Sequence, residues 1–114
     1  MALDVDEQFS CKVLPDRERV VVSLVGELDL ATSPQVSQTL DDLLRAGFSK
    51  ITIDLKGLRF MDSSGLHLLM DTAKQAQRAR CELTLVQGSR AVRRAFELTG
   101  LDSAFKFETG WLKA

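Results

Sequence analysis

The sequence has little net charge, few cysteines and no long hydrophobic run, and each of these absences excludes a class of protein. Its 15 basic and 16 acidic side chains leave a formal charge of −1, whereas nucleic-acid-binding domains usually carry a strong basic excess. No segment approaches the roughly 18 consecutive apolar residues that predict a membrane-spanning helix. We therefore expect neither direct binding to nucleic acid nor insertion into a membrane.

The first residues and the cysteines indicate the compartment. Residues 1–7 are acidic where a signal peptide needs a basic stretch, which predicts a cytoplasmic location. Cys11 and Cys81 are far apart and lack the paired spacing of a metal site. Both fall in apparent strands, so we expect reduced, buried cysteines that act as small apolar residues.

The pattern along the chain alternates between strands and helices. No linker, repeat or low-complexity tract divides the 114 residues, so we expect one domain over residues 1–114. Residues 19–27, 50–55 and 81–87 have strand patterns, and each segment is followed by apolar residues at helical spacing. A weaker strand at residues 8–14 precedes them, with a hairpin turn at Pro15 and Asp16. This order predicts a small mixed α/β sheet with three parallel central strands.

Two helix starts carry recognisable capping residues. The run Thr32-Ser33-Pro34 predicts the start of the first helix, with a capping hydroxyl and a proline at the first helical position. We interpret residues 56–61 as a loop that leads to Asp62, the natural N-cap of the second helix. Ser63 and Ser64 then occupy the first exposed turn of that helix.

Three loops leave the carboxyl ends of the predicted parallel strands, where function is concentrated in such sheets. They are residues 26–29, 62–65 and 87–89, and we expect them to lie together. An Asp-Ser-Ser-Gly stretch is most often a plain helix cap. The functional alternative is an accessible serine, whose phosphate the helix dipole would stabilise by roughly 0.3–1 kcal/mol.

Two motifs, one on each side of an Ile-Asp-Leu strand at residues 53–55, and a third segment late in the chain make the functional interpretation specific. Residues 26–32 read GELDLAT, residues 60–66 read FMDSSGL, and residues 91–101 read AVRRAFELTGL. Together they resemble the anti-sigma-factor antagonist family, the stand-alone STAS domain. The resemblance implies an α/β fold with a single-layer mixed β-sheet of four to five strands and helices packed mainly on one face.

The resemblance also implies a site and partners. In that family the first serine after the motif aspartate is phosphorylated by an anti-sigma factor that is a serine kinase, and a metal-dependent serine phosphatase reverses the reaction. The matching serine here is Ser63. The partner-binding residues implied by position are Gly26, Glu27, Asp29, Asp62, Ser64, Gly65 and His67. No cofactor and no enzymatic activity are expected, because the kinase supplies the chemistry of phosphoryl transfer.

The function implied is a phosphorylation switch. The unphosphorylated form would bind an anti-sigma factor and so release a sigma factor, and phosphate on Ser63 would turn this binding off. An alternative with the same fold is a STAS docking subunit of a membrane transporter or a larger signalling assembly. Co-purification with a transporter ATPase would distinguish that alternative from the switch.

A third alternative is a small serine hydrolase or phosphatase that uses Ser63 with His67 and Asp71. All three residues would lie on one helix, without the strand-turn-helix elbow of serine nucleophiles. His67 departs from the family, where a small residue is usual. We expect it to face solvent beside Asp71, one turn further along the helix.

Overall fold

The computed structural model describes residues 9–108, which form one five-stranded mixed sheet with the strand order β1-β2-β3-β4-β5. β1 pairs antiparallel with β2, and the remaining neighbours are parallel. A 3₁₀ turn at Leu101–Ala104 precedes the last strand. The strands and α-helices are β1 (Ser10–Asp16), β2 (Arg19–Leu28), α1 (Ser33–Arg45), β3 (Lys50–Met61), α2 (Ser63–Arg78), β4 (Glu82–Val86), α3 (Arg90–Thr99) and β5 (Phe107–Glu108).

The core lies on one face of this sheet. Side chains alternate between the two faces of a strand, and Val22, Ile53 and Leu85 form one fully buried row across β2, β3 and β4. All three α-helices contribute side chains to the same core: Val36, Leu40, Leu66, Leu69, Val92 and Phe96. The helices therefore pack on the apolar face, which confirms the expected fold class.

β3 extends further than the sequence predicts. Residues 56–61, expected to be a loop, continue the strand and pair with β2 as far as Leu28 and Met61. Two irregularities in the register show that β3 bulges against β2, and bulges interrupt the alternation by which a strand is recognised. Gly57 lies at the first of these bulges, where the two backbones approach closely: a Cβ on Gly57 would lie 2.8 Å from the carbonyl oxygen of Leu24. The predicted loop is therefore wrong.

The hairpin turn is also displaced from its predicted position. Pro15 and Asp16 belong to β1, and the turn is formed by Arg17 and Glu18, with Arg17 at a positive φ of 63°. A proline is tolerated in β1 because an edge strand has one side without ladder hydrogen bonds. The prediction of a turn at Pro15 and Asp16 is therefore wrong, since both residues belong to the strand that precedes the turn.

The cysteines behave broadly as expected. Both are free; Cys81 is buried immediately before β4, and Cys11 is partly buried in β1. Burial raises the pKa of both thiols, which disfavours the reactive thiolate. Within residues 9–108, no helix is long and apolar enough to cross a bilayer.

Candidate functional site

The start of α2 has the capping geometry that the sequence predicts. Asp62 is the N-cap, and its Oδ1 accepts hydrogen bonds from the backbone N–H groups of Ser64 at 2.8 Å and Gly65 at 3.3 Å. Ser63, the first residue of the helix, is exposed, while Ser64 is half-buried. The cap therefore leaves the Ser63 hydroxyl accessible to another protein.

Close packing fixes this helix start against the end of β2. The backbone N–H of Asp62 donates to the carbonyl oxygen of Leu28 at 3.2 Å. A Cβ on Gly65 would lie 2.9 Å from Leu28 Cγ and 2.6 Å from Met61 Cγ. Glycine is thus required here by a close approach, which places the first turn of α2 directly beside the loop that follows β2.

Asp29 organises that loop through its own carboxylate. Its Oδ1 accepts from the backbone N–H groups of Ala31 at 3.0 Å and Thr32 at 3.1 Å. The Thr32 hydroxyl donates to the carbonyl oxygen of Glu27 at 2.8 Å and makes no capping bond to α1. The predicted capping hydroxyl is therefore wrong, because Thr32 and Asp29 together close the loop that precedes the helix.

Gly26 and Glu27 lie just before this loop, at the irregular end of β2. Gly26 is buried with φ at +109°, a conformation that favours glycine, and it borders a register shift. Glu27 is exposed and forms an ion pair with Arg59 at 3.6 Å. Of the two acidic side chains at the end of β2, Glu27 therefore faces solvent and Asp29 holds the backbone of the loop.

The third loop, residues 87–89, does not join the other two. β4 ends at Val86, whereas β3 runs on to Met61. Gly88 lies against Leu55, since a Cβ there would be 2.4 Å from the Leu55 carbonyl oxygen. Leu55 is six residues before Met61, which is roughly 15–20 Å along a strand. The expectation of three adjacent loops is wrong, because the extension of β2 and β3 carries two of them away from the third.

His67 is exposed on α2, one turn after Ser63. It borders a groove between α1 and α2 whose lining also includes Leu30, Ser64 and Asp71. The part of the chain that the structure describes contains no hydrogen bond from His67 to Ser63 or to Asp71, and no cluster of three or more metal-ligating side chains. This arrangement does not assemble the Ser63–His67–Asp71 triad.

Two exposed apolar side chains beside the site were missed by the sequence analysis. Leu30, at the mouth of the α1–α2 groove, is 76% exposed, and Phe60 near the end of β3 is 46% exposed. Large exposed apolar groups are common at protein interfaces. Their position within the two motifs was visible in the sequence, but their exposure was not, because it depends on the extension of β2 and β3.

Comparison with known proteins identifies the family. Residues 11–108 match the family described as "Mlab, STAS domain". The anti-sigma-B factor antagonist of Staphylococcus aureus is 33% identical over 89 residues, which cover 78% of this chain and 82% of that protein. The chain therefore belongs to the STAS domain family, whose anti-sigma-factor antagonist members are non-enzymatic regulators that bind other proteins.

Solved structures support the same assignment. An anti-sigma factor antagonist from Mycobacterium paratuberculosis superposes with a TM-score of 0.82 at 28% identity, covering 92% of this chain and 89% of that chain. The anti-sigma factor antagonist SpoIIAA in its unphosphorylated form superposes with a TM-score of 0.73 at 28% identity, covering 90% of this chain and 89% of that chain. The Bacillus cell fate determinant SpoIIAA in its phosphorylated form superposes with a TM-score of 0.67 at 27% identity, covering 90% of this chain and 92% of that chain. The expected family and its sheet architecture are confirmed.

Proposed function

We propose that this chain is an anti-sigma-factor antagonist that acts in the cytoplasm and is switched by phosphorylation of Ser63. In the unphosphorylated form it binds an anti-sigma factor with serine kinase activity and so releases a sigma factor. A metal-dependent serine phosphatase restores that form. The observation that carries the proposal is the exposed Ser63 at the first position of α2, beside the Asp62 cap.

The binding surface in this proposal is formed by the two adjacent loops and the first turns of α2. Glu27, Asp62 and Ser64 supply polar groups, and Leu30 and Phe60 supply apolar contact area. Gly26, Asp29 and Gly65 act indirectly, because they set the backbone on which these groups stand. His67 contributes an exposed edge of the same surface.

Phosphorylation would act locally. A phosphate adds about −1.5 to −2 charges at neutral pH, and here it would stand next to the Asp62 carboxylate. Because Ser63 is exposed, the phosphate displaces none of the protein's own packing. Repulsion and desolvation at a protein interface cost several kcal/mol, and about 3 kcal/mol corresponds to a roughly hundredfold loss of affinity.

The test has a covalent part and a binding part. The purified protein is incubated with ATP and its cognate anti-sigma-factor kinase, and the phosphate is mapped by mass spectrometry in the wild type, Ser63→Ala and Ser64→Ala. We expect label in the wild type and in Ser64→Ala only. Label that persists in Ser63→Ala would show that the site assignment is wrong.

Binding to the anti-sigma factor is then measured by calorimetry. We expect Ser63→Asp to weaken it by about a hundredfold, while Ser63→Ala binds like the wild type. Ser103→Asp is the matched control, because Ser103 is also exposed but lies in the 3₁₀ turn after α3. Equal affinities for all four proteins would refute the switch.

The second candidate, with the same fold, is a docking subunit of a membrane transporter or of a larger signalling assembly. A sulfate transporter family protein from Wolinella succinogenes also shares the fold, with a TM-score of 0.69 at 17% identity. Affinity purification from the native cell distinguishes the two candidates. Recovery of a transporter ATPase in place of a kinase-like anti-sigma factor would favour the second one.

A further inference from the structure

His67 has no role in the cap or in the core, yet it lies on the same exposed strip of α2 as Ser63. The two residues are separated by four positions, so their side chains are neighbours on the helix surface. Both are exposed. In this spacing an acidic group that precedes a basic group is the more favourable order on a helix.

We propose that His67 is the intramolecular partner of the phosphate on Ser63, so that the charge of the phosphorylated form depends on pH. This inference rests on the proposed function, because it requires a phosphate at that serine. The pairing joins two side chains, and no helix-terminal N–H takes part in it. The imidazolium of His67 would donate a charge-assisted hydrogen bond to a phosphate oxygen.

The charges around the pair are unequal. Asp62 adjoins Ser63 and would repel its phosphate, and the next basic side chain along α2 is Lys74, two further turns away. His67 is therefore the cation of this helix that is within reach. Its own acidic neighbours are Asp71, one turn on, and Asp41 of α1 across the groove.

The pairing would operate in the physiological range. Histidine gains its charge near neutral pH, and phosphoserine loses its second proton near pH 6. When His67 is protonated, its imidazolium would offset part of the repulsion between the phosphate and Asp62. The charge that a binding partner or a phosphatase meets at the start of α2 would thus vary with pH.

The experiment uses the full chain with phosphoserine installed at position 63 during translation, so it does not depend on the kinase. Phosphorus NMR follows the titration of the phosphate in the wild type, His67→Gln and Lys74→Gln. We expect the phosphate midpoint to be higher in His67→Gln by about 0.3–0.7 pH unit, since an exposed ion pair stabilises by under about 1 kcal/mol. Lys74→Gln should titrate like the wild type.

Two outcomes would overturn the proposal. One is an identical midpoint in the wild type and His67→Gln. The other is an equal shift in Lys74→Gln, which would indicate a diffuse effect of net charge. Failure of the kinase to label Ser63 in the earlier experiment would instead count against the proposed function, and the two failures are therefore distinguishable.

Discussion

Two polar regions among residues 9–108 use their side chains in opposite ways. At the start of α2, Ser63 and His67 are exposed beside the capping residue Asp62. On the face of the sheet away from the core, Glu108 accepts hydrogen bonds from Thr84 at 2.6 Å and from Arg19 at 3.0 Å. The groups around Glu108 bind one another and stabilise the fold, whereas Ser63 and His67 are exposed and accessible to other molecules.

The sheet register explains the second region, which we call the Glu108 cluster and define as Arg19, Lys50, Thr52, Thr84 and Glu108. These residues lie on four neighbouring strands, where Lys50 Nζ is 3.1 Å from Glu108 Oε2 and the buried hydroxyls of Thr52 and Thr84 are 2.9 Å apart. Burial tends to raise the pKa of Glu108, but its hydrogen bonds and the Lys50 charge outweigh this effect and lower the pKa to about 2. Its charges therefore satisfy one another.

The largest effect is expected from breaking the Glu108 cluster. Glu108→Gln removes the charge that Arg19 and Lys50 share in a partly buried setting. We expect the free energy of unfolding to fall by about 2 kcal/mol, because hydrogen bonds to charged groups contribute about 1.5–3 kcal/mol each and partial exposure reduces this. Urea denaturation measures the change.

The control for this substitution is Glu82→Gln, which breaks the exposed pair of Glu82 with Lys106 on the same side of the sheet. We expect its unfolding curve to match that of the wild type. If both variants lost stability equally, the Glu108 cluster would have no special role.

Acid should weaken the same cluster. The folded pKa of Glu108, about 2, lies below its ordinary value of 4.5, so the folded state binds this proton less readily than the unfolded state. Its stabilising contribution is complete above about pH 4.5 and is lost as the pH falls toward 2. Urea midpoints at a series of pH values should show this decline in the wild type and a shallower one in Glu108→Gln. If the urea midpoints of the two proteins declined in parallel with pH, the lowered pKa of Glu108 would not be the cause of the acid sensitivity.

A smaller effect is expected from filling the space at Gly65. In Gly65→Ala the added methyl group must displace Met61 or Leu28, which costs about 1–3 kcal/mol and is partly offset by the better helix propensity of alanine. We expect a net loss of about 1–2 kcal/mol in thermal or urea unfolding. Ser64→Ala is the matched neighbour and should change stability by less than about 0.5 kcal/mol. A stabilised Gly65→Ala would disprove the close approach.

The smallest of these effects concerns the cap. Asp62→Ala should destabilise the protein by about 1 kcal/mol, because the N–H groups of Ser64 and Gly65 lose their acceptor. Asp62→Asn keeps an acceptor oxygen and should recover most of that loss. Equal destabilisation by both substitutions, measured by urea unfolding, would mean that charge and not capping is what Asp62 contributes.

Local signals were sufficient for parts of the candidate site. The Asp62 cap and the exposed first turn of α2 follow from short-range hydrogen bonding, which the types of a few consecutive residues determine. These features depend on no distant contact, and the sequence predicts them correctly.

Other parts depend on partners that are distant in the sequence. The strand character of residues 56–61 arises from pairing with β2 across two bulges, and the role of Asp29 in closing its loop depends on the path of the chain after β2. The separation of residues 87–89 from the site follows from the unequal lengths of β3 and β4. Periodicity within one segment carries none of this information.

The sequence by itself determined the alternation of strands and helices, the Asp62 cap of α2, and the two motifs that place the chain in its family, because each is encoded in neighbouring residues. Only the tertiary structure decided which loops meet, why Gly65 has no room for a side chain, and which charges satisfy one another. The physical reason is that sheet register and close packing join residues that are far apart along the chain.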